Sequence, residues 1–255
     1  VHAEQVLMLL AAAVAAGWVD AVVGGGGLIQ LPALLLANPG QPVAAALATN
    51  KLGSIAGTAS AAVAYARRAK PDVRVAVPAG VLAVCCAAGG ALCATVISSE
   101  VLKPVIMVVL LSVAAIVVLK PDLGRAPRPV LRTRRRVAAA VLVPGVAIAF
   151  YDGLVGPGTG TFLVVAFTAL LGMDFVDASA TSKIINACTN LGALLVFAAQ
   201  GHVLWAVGLG MAAGNAAGAQ LGARMAIKRG AGFIRVILLC VVAVLVAKLA
   251  YEQFG

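Results

Sequence analysis

Long apolar stretches dominate this chain, and polar residues arrive in short bursts between them. Hydrophobic runs cover residues 3–23, 43–66, 74–98 and 101–119 in the first half and 136–154, 176–199, 203–227 and 233–253 in the second. Crossing about 30 Å of hydrocarbon takes roughly 20 helical residues, which each run approaches or exceeds. Two shorter apolar pieces, 28–37 and 160–171, are too brief to cross alone and begin at glycine-rich breaks. They read as half-helices. With no water at membrane depth the backbone must satisfy its own hydrogen bonds, so helices are the expected elements. The pattern predicts an all-α polytopic membrane protein.

Composition agrees with that reading. Of the 255 residues, 62% are hydrophobic and 11% charged, with a mean hydropathy of +1.06. A soluble domain carries about a quarter charged residues. Residues 6–23 lack the positive leading region of a signal peptide and are read as a structural span. Cys85, Cys86, Cys93, Cys188 and Cys240 show no metal or redox spacing. They suit small packing positions, and no metal or cofactor is expected.

The net charge of +10 raises nucleic-acid binding, and its distribution argues against it. Most of it lies between Lys120 and Arg136, with smaller clusters at Arg67/Arg68/Lys70/Arg74 and Arg224/Lys228/Arg229/Arg235. No aromatic residues interleave them as a nucleic-acid surface requires. Short basic loops beside apolar spans follow the positive-inside rule, and contact with anionic lipid headgroups is their natural further use.

The polar residues inside the apolar runs repeat. Asp20, a glycine run from Gly24 to Gly27, and Ala48-Thr49-Asn50-Lys51 recur 132 residues later as Asp152, Gly156-Pro157-Gly158-Thr159-Gly160 and Ala180-Thr181-Ser182-Lys183. Asp to Lys is 31 residues in both copies, and Tyr65 meets Phe197 at the same offset. Gly90 meets Gly218 at an offset of 128, with the loop near Arg67–Asp72 trimmed to Gly201-His202. One loop change within a continuous match indicates a duplicated unit.

This divides the chain into a first transmembrane repeat at 1–120, a basic cytoplasmic linker at 121–135 and a second repeat at 136–255. Four crossings per half would place Lys228, Arg229 and Arg235 opposite the central basic linker. Five crossings invert one half against the other, and all three basic clusters then share the cytoplasmic side. The neutral loops 38–42, 98–103 and 200–202, with both termini, face outward. The expected architecture is therefore two inverted repeats of about five membrane segments each, with a half-helix after each glycine break.

Unwound backbone at membrane depth is tolerated only where it is buried in protein or lines a cavity. Gly24, Gly25, Gly26, Gly27, Gly156, Gly158, Thr159 and Gly160 are accordingly candidate binding residues, since a half-helix start directs N–H groups and a positive dipole end at an anion. Close helix packing is the alternative use of these glycines. Lys51 and Lys183 each lie about eight residues into a span, roughly 12 Å deep. A lysine there costs about 2.5 kcal/mol or more on insertion scales. Attraction of an anion, snorkelling, or a buried pair with Asp20 or Asp152 would each account for it. The two acids fit proton coupling or counter-charge equally. Thr49, Asn50, Thr181, Ser182, Asn186 and Asn190 flank the lysines at helical spacing, suited to substrate oxygens or to interhelical hydrogen bonds. Asn215 and Gln220 fit helix contacts, and His202 falls in a loop.

The stretches GWVDAVVGGGGLIQLPALL and ATNK, and in the second copy FYDGLVGPGTGTFLVV and ATSKIINACTN, resemble the TauE/SafE family of sulfite exporters. The resemblance covers nearly the whole chain. It implies a multi-pass carrier of the bacterial inner membrane for small sulfur-containing anions such as sulfite, sulfonates or sulfoacetate. Pro157 and Thr159 depart from an all-glycine second break. The combined expectation is an alternating-access carrier holding an anion near the midplane, with protons as the candidate coupling ion and the oligomeric state left open. A passive anion channel and a sulfur-relay protein using Cys188 are the rival expectations.

Overall fold

A computed structural model describes residues 3–38, 40–95 and 132–254, which form helices and short connections with no strand among the described residues. In chain order the helices are α1 (Ala3–Val23), α2 (Gly27–Ala37), α3 (Val43–Ala66), α4 (Val73–Ala94), α5 (Arg134–Leu154), α6 (Thr159–Leu171), α7 (Phe175–Ala199) and α8 (Trp205–Phe254). The expected span at 101–119 and most of the linker at 121–135 lie outside the described residues. The remaining runs match helices to within a few residues, including both half-helices.

One local feature departs from the sequence expectation. Helix α5 contains a π-helical stretch, Val143–Ile148. Its Pro144 supplies no N–H and its ring displaces the preceding carbonyl, which widens the turn. The runs at 203–227 and 233–253 form two arms of α8, joined at Gly230 with φ 73° and ψ −168°. Among the described residues, side-chain N-caps start α5, at Thr133, and α7. Asp174 accepts hydrogen bonds from the Val176 and Asp177 amides at 2.9 Å to start α7.

Small residues let the helices approach backbone to backbone. Along α8, Gly214, Gly218 and Gly222 meet Leu10, Val14 and Trp18 of α1 in that order, while Gly208 meets Leu52 and Asn215 meets Gly57 of α3. Helices α1, α3 and α8 therefore run in the same direction. On the other side, Gly145 and Gly153 of α5 meet Ala79 and Ala87 of α4, and Gly80 and Val84 of α4 meet Cys188 and Gly192 of α7. Helices α4, α5 and α7 also share a direction. The start of α3, at Leu47 and Ala48, clusters with Phe197 near the end of α7, so the two sets run oppositely. Each half's first helix packs on the fourth helix of the other half, α1 on α8 and α5 on α4.

Helix α2 turns back along α1, with Leu34 and Ala37 against Leu9 and Ala13. Among the described residues, four helices are long and apolar enough to cross a membrane: α1 over Glu4–Val23, α4, α5 and α7. Large side chains such as Leu7, Leu36, Val77, Val81, Leu195 and Leu209 face outward and are more than half exposed. An apolar exterior of this kind suits lipid.

Candidate functional site

The two glycine breaks cross each other at the centre of the molecule. Gly24 has φ +84°, and a Cβ there would lie 2.1 Å from the Gly160 carbonyl carbon. Only glycine satisfies both the left-handed backbone and that approach. Gly156 adopts φ +93° in the second break, and Gly158, with φ +84°, leads into α6. Side chains satisfy carbonyls around both breaks. Thr161 Oγ1 donates to Val23 O at 2.8 Å, Tyr151 Oη to Pro157 O at 2.8 Å, and Tyr65 Oη to Ala21 O at 3.0 Å.

The two lysines exchange partners between the halves. Lys51 Nζ lies 2.7 Å from Asp152 Oδ2 and donates to Asp152 O at 2.6 Å. Lys183 Nζ donates to Asp20 Oδ2 at 2.9 Å and also to Asp20 O. Both ammonium groups are buried, each lysine being 1% exposed. Each acid occupies the last turn of its helix, where a carboxylate opposes the negative end of the dipole. A lysine against both carboxylate and carbonyl offsets that conflict. Of the uses open to the lysines, a buried pair with the acid of the other half is the one present in this conformation.

Between the pairs lies a polar cavity of about 20 Å³, the space of about one water. Asp20, Gly24, Gly27, Asn50, Lys51, Asp152, Gly156, Thr159, Gly160, Asn186 and Asn190 line it, together with Ser54. Asn190 Nδ2 lies 3.5 Å from Thr58 Oγ1 and from Asn186 Oδ1, joining α3 to α7 at its edge. Asn50 is 3% exposed, yet its Oδ1 has no hydrogen-bond partner among the described residues.

The other expected residues stand back from the cavity. Gly25, Gly26 and Gly158 shape the breaks without lining it, and Lys183 reaches it through Asp20. Thr49 and Thr181 have a shared structural task. Thr49 Oγ1 accepts the Leu204 amide before α8 and Thr181 Oγ1 accepts the Asp72 amide before α4, at 3.1 and 3.0 Å. Ser182 is buried, with its Oγ unpartnered among the described residues. Sequence reasoning passed over Ser54, Thr58 and Gln30. The repeat offset could have supplied the first two, since Ser54 and Thr58 precede Asn186 and Asn190 by 132 residues. Gln30 is fully buried and joins three helices, donating toward Asn50 O at 3.5 Å and accepting from Asn215 Nδ2.

Comparison with known proteins follows the same residues. The profile of the sulfite exporter TauE/SafE family matches residues 9–249. A Sinorhizobium sp. protein described as "Probable membrane transporter protein ORF9" is 39% identical over 241 residues, covering 94% of this chain and 90% of that protein. "Probable membrane transporter protein YfcA" of Escherichia coli K12 is 34% identical over 248 residues, with 97% and 90% covered. A Haemophilus influenzae protein described as "Probable membrane transporter protein" is 34% identical over 238 residues, with 93% and 91% covered. No solved structure matches. With its apolar helices, the chain is a multi-pass inner-membrane protein, and it belongs to the TauE/SafE family of membrane transporters.

Proposed function

We propose that the chain is an alternating-access secondary carrier for small sulfur-containing oxyanions, built from two inverted repeats. The observation that carries this reading is the crossed pair of ion bridges on either side of a polar cavity. Lys51–Asp152 lies toward the end where α3 begins, and Lys183–Asp20 toward the end where α7 begins. Releasing one bridge opens the cavity to one side while the other stays shut. The opposed helix directions and the exchanged packing of α1 on α8 and α5 on α4 support the inverted arrangement.

The energetics favour coupling release to substrate. Removing one partner from a buried ion pair costs about 3–5 kcal/mol because the other charge is left stranded. An arriving oxyanion supplies the freed lysine with a new counter-charge, and the break at Gly156 to Gly160 directs a helix start toward it. The freed aspartate regains neutrality by taking up a proton, which makes Asp20 and Asp152 the coupling groups. A cavity this small, bounded by two closed bridges, favours a carrier over a permanently open channel.

The test is uptake of radiolabelled sulfite, kept anaerobic, by proteoliposomes under an imposed pH gradient. Lys51→Ala and Lys183→Ala are each expected to reduce flux to background. Undiminished flux in both folded variants refutes the assignment of the lysines.

A further inference from the structure

A second basic feature lies at the end of the molecule away from the α3 and α8 starts. Arg67 and Arg68 follow the last turn of α3, while Arg224 and Lys228 extend from α8, and together they line an open cleft of about 660 Å³. All four side chains are exposed. Among the described residues none has an acidic partner, whereas Arg132 of the central basic cluster is paired with Asp72. Ala64, Ile227 and Gln220 complete the cleft wall.

The cleft continues inward as a polar seam. Gln220 Nε2 donates to Ser60 O at 2.9 Å and to Ser60 Oγ at 2.7 Å, and Ser60 Oγ lies 3.3 Å from Ala216 O. Further along the same helix faces, Asn215 meets Gln30, which reaches the backbone of Asn50 at the central cavity. Helix packing alone does not require these groups. At the matching positions of the second half, Gln30, Ser60, Asn215 and Gln220 become Phe162, Gly192, Ala87 and Leu92. The same helix–helix contact is thus made there with apolar and small residues.

We propose that the Arg67/Arg68/Arg224/Lys228 cleft is a capture site for the transported oxyanion, and that the α3–α8 seam is its route to the central cavity. This inference rests on the carrier reading above. Four cations with no acidic partner among the described residues focus anions at the mouth and raise their local concentration, an effect that salt screens over a Debye length of about 10 Å. Ser60, Gln220, Asn215 and Gln30 then offer hydrogen-bonding groups in place of hydration as α3 and α8 part. A lipid headgroup would find the same cations, but its acyl chains would need an apolar groove where this cleft leads to a polar seam.

The test compares wild type with Arg67→Gln/Arg224→Gln and with Arg67→Lys/Arg224→Lys. Uptake of radiolabelled sulfite, sulfate and sulfoacetate is measured in vesicles of phosphatidylcholine alone and with added phosphatidylglycerol. For the Gln variant, KM should rise roughly three- to tenfold at low ionic strength with kcat within about twofold, and the difference should shrink in about 0.5 M salt. The Lys variant should stay near wild type. Unchanged KM with unchanged salt dependence in the Gln variant overturns the capture site and leaves the carrier standing. An effect confined to vesicles containing phosphatidylglycerol assigns the cleft to a headgroup and equally overturns it. Absence of flux for all three anions in wild type overturns the carrier reading and this inference with it.

Discussion

The exchanged ion pairs permit a sharp test of what holds the two halves together. Lys51 and Asp152 are 1% and 2% exposed, so neither charge has water to fall back on. Lys51→Met strands the carboxylate, and Asp152→Asn strands the ammonium. Each single substitution is expected to cost about 3–5 kcal/mol, whereas the double variant leaves two neutral groups of similar size and should fall within about 1 kcal/mol of wild type. The coupling is then about 5 kcal/mol or more, far outside the additive range. At about 2–4 °C per kcal/mol for a chain of this length, each single variant should melt roughly 10 °C lower. Thermal unfolding in detergent, followed through Trp18 and Trp205 fluorescence, reads this directly. The double variant should fold yet carry no anion, because it keeps the shape of the gate without its charge. Lys183→Met with Asp20→Asn should behave alike but with smaller shifts, since Asp20 is 8% exposed. Additive losses across the Lys51/Asp152 cycle would refute the argument, as would a double variant with full transport.

Four further variants test individual contacts. Gly24→Ala forces a side chain against Gly160 backbone, so a loss of several kcal/mol and a collapse in folded yield are expected by size-exclusion chromatography. Gly201→Ala is the control for backbone strain, because its φ is +74° with open space around it, and it should cost only about 1 kcal/mol. Thr49→Val leaves the Leu204 amide without its acceptor, costing about 1–2 kcal/mol in thermal unfolding, while KM for transport stays unchanged because Thr49 stands off the cavity. Cys188→Ser should retain full uptake, since its sulfur faces Gly80 of α4. Loss of transport with normal folding would revive a sulfur-relay role.

Much of the fold was legible because hydrophobicity and span length are the same constraint in a membrane. Helix α3 was expected at 43–66 and occupies Val43–Ala66, and the half-helices start at the glycine-rich breaks in the apolar runs. What escaped depended on effects beyond length and pattern. The π-helical turn at Val143–Ile148 arises from where the Pro144 ring meets its neighbours. The two runs at 203–227 and 233–253, by contrast, are the two helical arms of α8, parted at the non-helical Gly230 where the charged interruption falls.

At the site, the sequence identified which residues are too costly to be accidental but not which of them meet. Lys51 and Asp20 belong to one copy of the motif, so a reader of either copy alone would pair them. The structure pairs Lys51 with Asp152 and Lys183 with Asp20 instead. Helix direction explains the exchange. Lys51 enters from the start of α3, and Asp20 sits at the far end of α1, which runs in the same direction as α3. Asp152 ends α5, which runs the other way, and so arrives at the depth of Lys51. Thr49 and Thr181 were drawn to the site by adjacency in the chain. One residue before Asn50 and Ser182 on a helix is a turn of about 100°, enough to direct Thr49 to the start of α8 and Thr181 to the start of α4. Ser54 and Thr58 keep the register of Lys51 within one turn or two and therefore share the cavity side of α3 with it. A chemistry-bearing residue in such a bundle is thus best located by its counterpart in the other copy and by helix direction. Distance along the chain to the nearest charge is the poorer guide.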